Sequence, residues 1–151
     1  MIKANVLVDF PKWKKKIKNP EKYLSLKLKR LQKKIIFKKK QEFSIMLTNN
    51  YKIKKLNQKF RKKNKITDVL SFPSKILIKK YTYIGDIAIS FEFINKRSNI
   101  SNFKYEFDKM WIHGLLHLLG YDHKKDKDYK KMHREELKIF NLIEKKFEQI
   151  I

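Results

Sequence analysis

The stretch Phe103-Lys-Tyr-Glu-Phe-Asp-Lys-Met-Trp-Ile-His113-Gly-Leu-Leu-His117-Leu-Leu-Gly120-Tyr-Asp-His123 holds three of the chain's four histidines. Its apolar spacing predicts a helix over Phe103 to Leu119, with Phe107, Met110, Trp111, Leu115 and Leu118 suited to the core. His113 and His117 stand one helical turn apart and so project from one face. Gly120 is the place for the helix to stop, because a residue tolerant of positive φ ends a helix at little cost. The chain then bends through Tyr121-Asp122 and carries His123 back to the other two. Three neutral nitrogens with one position left for water describe a catalytic zinc site at a helix C-terminal end; structural sites are closed by four protein ligands. Three imidazoles buried together without a metal would leave polar nitrogens in need of partners. His133, among Lys130, Lys131 and Arg134, reads as a surface residue.

Working outward, Ala4 to Phe10 reads as a short strand with Val6 and Val8 on one face, and Trp13 to Lys18 as a basic connection. Glu21 to Ile36 has helical spacing, its stripe formed by Tyr23, Leu24, Leu28, Leu31 and Ile35. Phe43 to Thr48 reads as a strand. Asn49 and Asn50 are N-cap residues for a helix over Tyr51 to Phe60, with Ile53, Leu56 and Phe60 turned inward. A polar loop from Arg61 to Ile66 leads to a short extended segment, Thr67 to Pro73, closed by the proline. Tyr83 to Ser90 is the clearest strand, Ile87 and Ile89 alternating with Asp86, Ala88 and Ser90. Phe91 to Arg97 is a short helix. Tyr129 to Ile143 or beyond is a terminal helix with Met132, Leu137, Phe140 and Ile143 facing in. The pattern predicts a single domain over residues 1–151, an α+β fold with a small mixed β-sheet packed with helices.

The formal net charge is +24, which attracts polyanions, nucleic acid first and anionic membrane second. Nearly all of that charge is lysine; arginine occurs only at Arg30, Arg61, Arg97 and Arg134. Abundant Ile and Asn with scarce Gly and Pro fit a genome poor in G and C, so part of the charge reflects composition. The lysine runs at Lys12 to Lys16 and Lys38 to Lys40 read as solvated faces. Cysteine is absent, which excludes disulfides and thiolate ligands and leaves nitrogen and oxygen to hold any metal. No apolar run is long enough to span a bilayer and the N-terminal apolar stretch is too short for a signal peptide, so a soluble cytoplasmic protein is expected.

Zinc lowers the pKa of a bound water from ~15.7 to about 7 and acts as a Lewis acid toward phosphoryl oxygen. With a polyanionic substrate, phosphodiester hydrolysis is the natural reaction. Such a transition state needs a cation, and arginine suits it because its planar fork holds two phosphate oxygens and never deprotonates. Arg61 stands in the polar loop before Thr67-Asp68. Metzincin peptidases share the histidine spacing but carry glutamate directly after the first histidine as general base. Gly114 occupies that position here, so the peptidase reading is set aside.

Together these residues resemble the YbeY family of bacterial endoribonucleases and rRNA maturation factors. The family's H-G-x-L-H-L-x-G-Y-D-H motif is matched from His113 to His123. Thr67-Asp-Val-Leu-Ser-Phe-Pro73 matches a second signature, preceded by Leu56-Asn57 and Phe60-Arg61. Gly85-Asp86-Ile87 matches a third. The resemblance spans Phe43 to Phe140; the loop after Arg61 departs from it, with Lys62 and Ile66 where the family carries glycine and proline. It implies that His113, His117 and His123 bind one Zn2+ per chain and that Arg61 contacts RNA phosphate. It implies cleavage of single-stranded RNA, maturation of the 3′ end of small-subunit (16S) ribosomal RNA, and ribosome quality control. The implied partners are rRNA precursor, the ribosomal small subunit and assembly factors such as the GTPase Era; neither DNA nor a membrane is expected. The competing reading is a ribosome-associated RNA binder that does not cut and whose metal is structural. Thr67-Asp68 reads as a local cap, and Asp86 as either the carboxylate that orders a histidine or the partner of a surface lysine.

Overall fold

The computed structural model describes residues 1–35, 39–78 and 80–144. Ten elements follow in order: β1 (Ile2–Val8), α1 (Trp13–Lys16), α2 (Pro20–Lys34), β2 (Gln41–Thr48), α3 (Asn50–Arg61), β3 (Val69–Ile78), β4 (Tyr81–Ser90), α4 (Phe91–Arg97), α5 (Phe103–Leu118) and α6 (Asp126–Ile143). The strands form one mixed sheet in the order β1-β2-β4-β3. β1, β2 and β4 run parallel, and β3 returns antiparallel along β4. The expected α+β architecture is what the chain adopts. The predicted ends of α2 at Ile36 and of α6 beyond residue 144, and Lys38, lie outside the described residues.

The sheet has two unequal sides. The main core lies on one, where Phe43, Ile45, Leu47, Ile87 and Ile89 meet Leu24, Leu28 and Leu31 of α2, Phe107, Trp111 and Leu115 of α5, and Ile139 and Ile143 of α6. On the other side α3 covers a smaller cluster of Ile53, Leu70 and Ala88. β4 is therefore buried on both faces in its second half, from Ile87 to Ser90, as a central strand between two layers of helix requires. Asp108 ties the helices of the main side together. It is fully buried, and accepts from the Tyr23 hydroxyl at 2.9 Å and from the Trp111 indole at 2.8 Å, with Lys27 Nζ at 3.3 Å. Burial raises its pKa against the opposing pull of these donors.

Several expectations change. Trp13 does not sit in a basic connection: it opens α1 and is fully buried, donating its indole N–H to the Thr48 carbonyl at 2.8 Å. Phe91, Phe103 and Phe107 each meet its ring edge-on at 5.5–5.6 Å, so aromatic packing outweighs the surrounding lysines. Pro73 does not close its strand; β3 runs on to Ile78, and the proline falls at a register shift where no ladder N–H is needed. Opposite it stands Gly85 with φ +134°, where any side chain would run into the Phe72 carbonyl oxygen. Phe60 and Leu137 are exposed, and the inward stripe of α6 runs one position earlier than expected, through Glu136 and Ile139.

Candidate metal centre

The end of α5 is built as the sequence predicts. Gly120 adopts φ +100°, the Gly120 N–H bonds to the His117 carbonyl, and the Tyr121 N–H reaches back to Leu116 at 3.0 Å. This pair of bonds is the glycine-terminated Schellman stop, and it turns the chain so that His123 returns toward the helix. The rings of His113, His117 and His123 come within 4.7–5.5 Å of one another, centroid to centroid. One donor atom from each lies within 4.8 Å of the others, so the group could hold a metal ion.

Hydrogen bonding fixes which nitrogens are available. His113 Nδ1 lies 2.9 Å from Glu136 Oε1, and His117 Nδ1 lies 3.0 Å from the Tyr121 carbonyl oxygen. A carboxylate and a carbonyl only accept, so both Nδ1 atoms carry hydrogen and, in neutral rings, both Nε2 atoms present lone pairs. Those two Nε2 atoms face each other at 3.2 Å. Two lone pairs at that distance repel unless positive charge sits between them, either a proton or a metal ion. Nitrogens bound tetrahedrally at 2.0–2.1 Å stand about 3.3 Å apart, so the spacing suits a zinc-sized ion. Burial, then the charges of His113 and His123, hold the His117 pKa below the ordinary histidine value, which favours the neutral, metal-binding form.

The histidines open onto a cleft of about 750 Å³ whose lining also includes Arg61, Thr67, Asp68, Ser71 and Pro73. Arg61 therefore shares a cavity with the three rings. Its Nη2 donates to the Ser71 carbonyl at 2.7 Å, and the Ser71 hydroxyl donates to the Gly114 carbonyl at 3.2 Å. The guanidinium is thus registered to α5 through β3, and it lies 5.7 Å from the centre of the Phe72 ring. Phe60, though exposed, meets that ring edge-on at 5.4 Å and extends the platform.

The loop after Arg61 keeps a defined path without the glycine and proline. Lys62 itself takes the left-handed conformation, φ 58° and ψ 29°. Asn57 is buried and clamps the loop. Its carbonyl accepts from the Lys62 and Lys63 N–H groups, and its Nδ2 donates to the Lys65 carbonyl at 3.0 Å. Asp68 acts locally as expected, accepting from its neighbour Val69 N–H at 2.8 Å, and it also pairs with Arg97 at 2.8 Å. Asp86 neither orders a histidine nor pairs with a lysine among the described residues. It is exposed and accepts from the Tyr83 hydroxyl, whose pKa burial, then this bond, push up to about 12. The carboxylate that does order a histidine is Glu136. His133 is exposed, as predicted, and stacks on Tyr129.

Residues 8–144 match the family model described as Endoribonuclease YbeY. The chain is 51% identical to the Endoribonuclease YbeY of Pelagibacter ubique (strain HTCC1062), over 97% of this chain and 99% of that one. It is 35% identical to that of Aquifex aeolicus (strain VF5), over 88% and 87% of the two chains. The solution structure of TM1509 from Thermotoga maritima matches it with a TM-score of 0.59 at 28% identity, covering 95% of this chain and 89% of the other.

Proposed function

The chain belongs to the endoribonuclease YbeY family, and from that premise we propose that it cuts single-stranded RNA at a metal ion held by His113, His117 and His123. The observation that carries this reading is the pair of Nε2 lone pairs, locked face to face at 3.2 Å in a cleft that also holds an arginine. The ion is zinc, one per chain; it supplies Lewis acidity toward a phosphoryl oxygen and an activated water at neutral pH. Arg61 spends one N–H on Ser71, and its remaining donors are left for the scissile phosphate. Phe72, braced edge-on by Phe60, lies against the guanidinium and stiffens it, which lowers the entropy lost on binding substrate. The lysine-rich surface draws RNA to the cleft by long-range attraction and counterion release.

The substrate is the precursor of small-subunit rRNA, trimmed at its 3′ end in the cytoplasm, with the small subunit and its assembly factors as partners and ribosome quality control as the wider role. Among the described residues no helix is long and apolar enough to cross a membrane.

Three measurements test the reading together. Elemental analysis of the purified protein should find one zinc, and cleavage of a single-stranded RNA should stop on chelation and return with the metal. His117→Ala should lose both zinc and cleavage. Arg61→Lys should keep zinc and lose roughly 10²-fold in cleavage rate, since it keeps the charge and removes the fork. Cleavage that survives chelation would sink the metal-dependent reaction. Normal 16S 3′ ends in cells carrying a folded His117→Ala protein would favour the RNA binder that does not cut.

A further inference from the structure

We propose that Glu136 is the positioning residue that makes His113 a metal ligand, so that α6, outside the histidine motif, is part of the metal centre; this rests on the metal reading above. Met132, Glu136, Ile139 and Ile143 follow at spacings of four, three and four along α6, the rhythm of a single helix face. Met132, Ile139 and Ile143 are fully buried, and α6 packs on α5 and α2 along that face. A glutamate is the one charged residue in the stripe, at a position where leucine or methionine would pack without any desolvation cost.

Its place is explained by what it touches. The carboxylate lies 2.9 Å from His113 Nδ1, with the ring and the carboxylate about equally sheltered at 24% and 29% exposure. A carboxylate there compels the Nδ1–H form and leaves the Nε2 lone pair pointing at His117. Glu136 meets the ring on its Nδ1 side, away from the Nε2 that faces His117, so it acts through His113 and not on substrate. His117 needs no such partner, because the turn after Gly120 supplies it with the Tyr121 carbonyl. His113, in mid-helix with its own carbonyls used by the helix, has to borrow its acceptor from another element.

The test uses Glu136→Leu and Glu136→Gln in the full chain. Zinc affinity, measured by competition with a chromophoric chelator, should fall about 10- to 100-fold in the leucine variant and less in the glutamine variant, whose amide oxygen still accepts. In metal-free protein, ¹⁵N spectra should place hydrogen on Nδ1 of His113 in the wild type, and the leucine variant should lose that preference. Urea stability without metal should be unchanged or higher in the leucine variant, since an apolar replacement suits that stripe; a merely structural glutamate would give the opposite. Zinc affinity within twofold of wild type, or an unchanged His113 tautomer, overturns the assignment. A wild-type protein that takes up no zinc while its His113 tautomer still depends on Glu136 upholds the contact and overturns the metal reading instead.

Discussion

Replacing Gly114 by alanine should destabilise the protein although alanine is the better helix former. A Cβ at Gly114 would lie 2.9, 3.1 and 3.3 Å from the Cγ2, Cδ1 and Cγ1 atoms of Ile87. Carbon atoms prefer about 3.5–4.0 Å, so three contacts are too close at once. Ile87 is fully buried on a central strand and packed within the main core, so a shift there would disturb its other neighbours. Overpacking of this kind costs about 1–3 kcal/mol, and the crowding of three carbons puts it in the upper half of that range. The gain in helix propensity is about 1 kcal/mol. A net loss of about 1–2 kcal/mol remains, or roughly 2–8 °C in Tm for a chain of this size.

The assay is urea unfolding in the presence of chelator, so that metal binding does not enter the comparison. Ile87→Ala removes all three opposing carbons, and in that background Gly114→Ala should become stabilising by up to about 1 kcal/mol. Ile87→Val keeps both γ carbons and should leave the cost of Gly114→Ala largely in place. An equal cost in the Ile87→Ala and wild-type backgrounds would show that contact with Ile87 is not its source. The same contact accounts for the missing peptidase base. The Cβ direction at residue 114 points into the sheet, not the cleft, so a glutamate there could not reach a water beside the histidines without lifting α5 off β4.

Two further outcomes follow from the site's surroundings. Lys62→Gly should raise the urea midpoint by an amount equivalent to about 0.5–1 kcal/mol, because glycine removes the left-handed penalty at Lys62 while adding entropy to the unfolded chain; a lower midpoint would mean that the Lys62 side chain stabilises the loop. The metal-free protein should lose stability as pH falls below about 6.5, the ordinary histidine value. The sign follows from His117, whose folded pKa is depressed, so its contribution is present above the unfolded value and lost as pH falls through the folded one. His117→Ala should flatten that part of the pH profile, and an unchanged slope would place its origin elsewhere.

What the sequence made legible were features with a local cause. The helix stop at Gly120 and the strand preceding Phe91–Arg97 depend on residues adjacent in the chain, and they fall where they were read. The histidine convergence was legible because a helical turn and one glycine bend are enough to produce it. Trp13 was missed because a lone tryptophan between lysines carries no periodicity; its burial depends on Phe91, Phe103 and Phe107, far away in sequence. Glu136 was missed for a related reason. The reading placed Leu137 in the core stripe, one position off, and this hid a carboxylate inside it. Had Met132, Ile139 and Ile143 been taken as the stripe, Glu136 would have stood out as a charge on a buried face.

The bias of the composition turns out to sharpen the site. In a chain that writes its positive charge almost entirely as lysine, an arginine can mark a position where lysine would not serve. Among the described residues two of the four, Arg61 and Arg97, combine a hydrogen bond with a ring contact, and a third binds a helix end. Arg30 donates to the Ile143 carbonyl at 3.0 Å near the end of α6. Arg97 pairs with Asp68, approaches Met110 Sδ and lies over Phe93. Arg61 does the same in the cleft, with Ser71 and Phe72. For Arg61 and Arg97 a lysine's point charge could replace the attraction but not the simultaneous hydrogen bond and ring contact. On the function proposed above, the lysines attract RNA without orienting it, while the two arginines that meet Asp68 and Ser71 hold the segment from Asp68 to Ser71 in register with the histidine helix. Affinity and positioning are thus assigned to different residue types, and salt should weaken the first far more than the second.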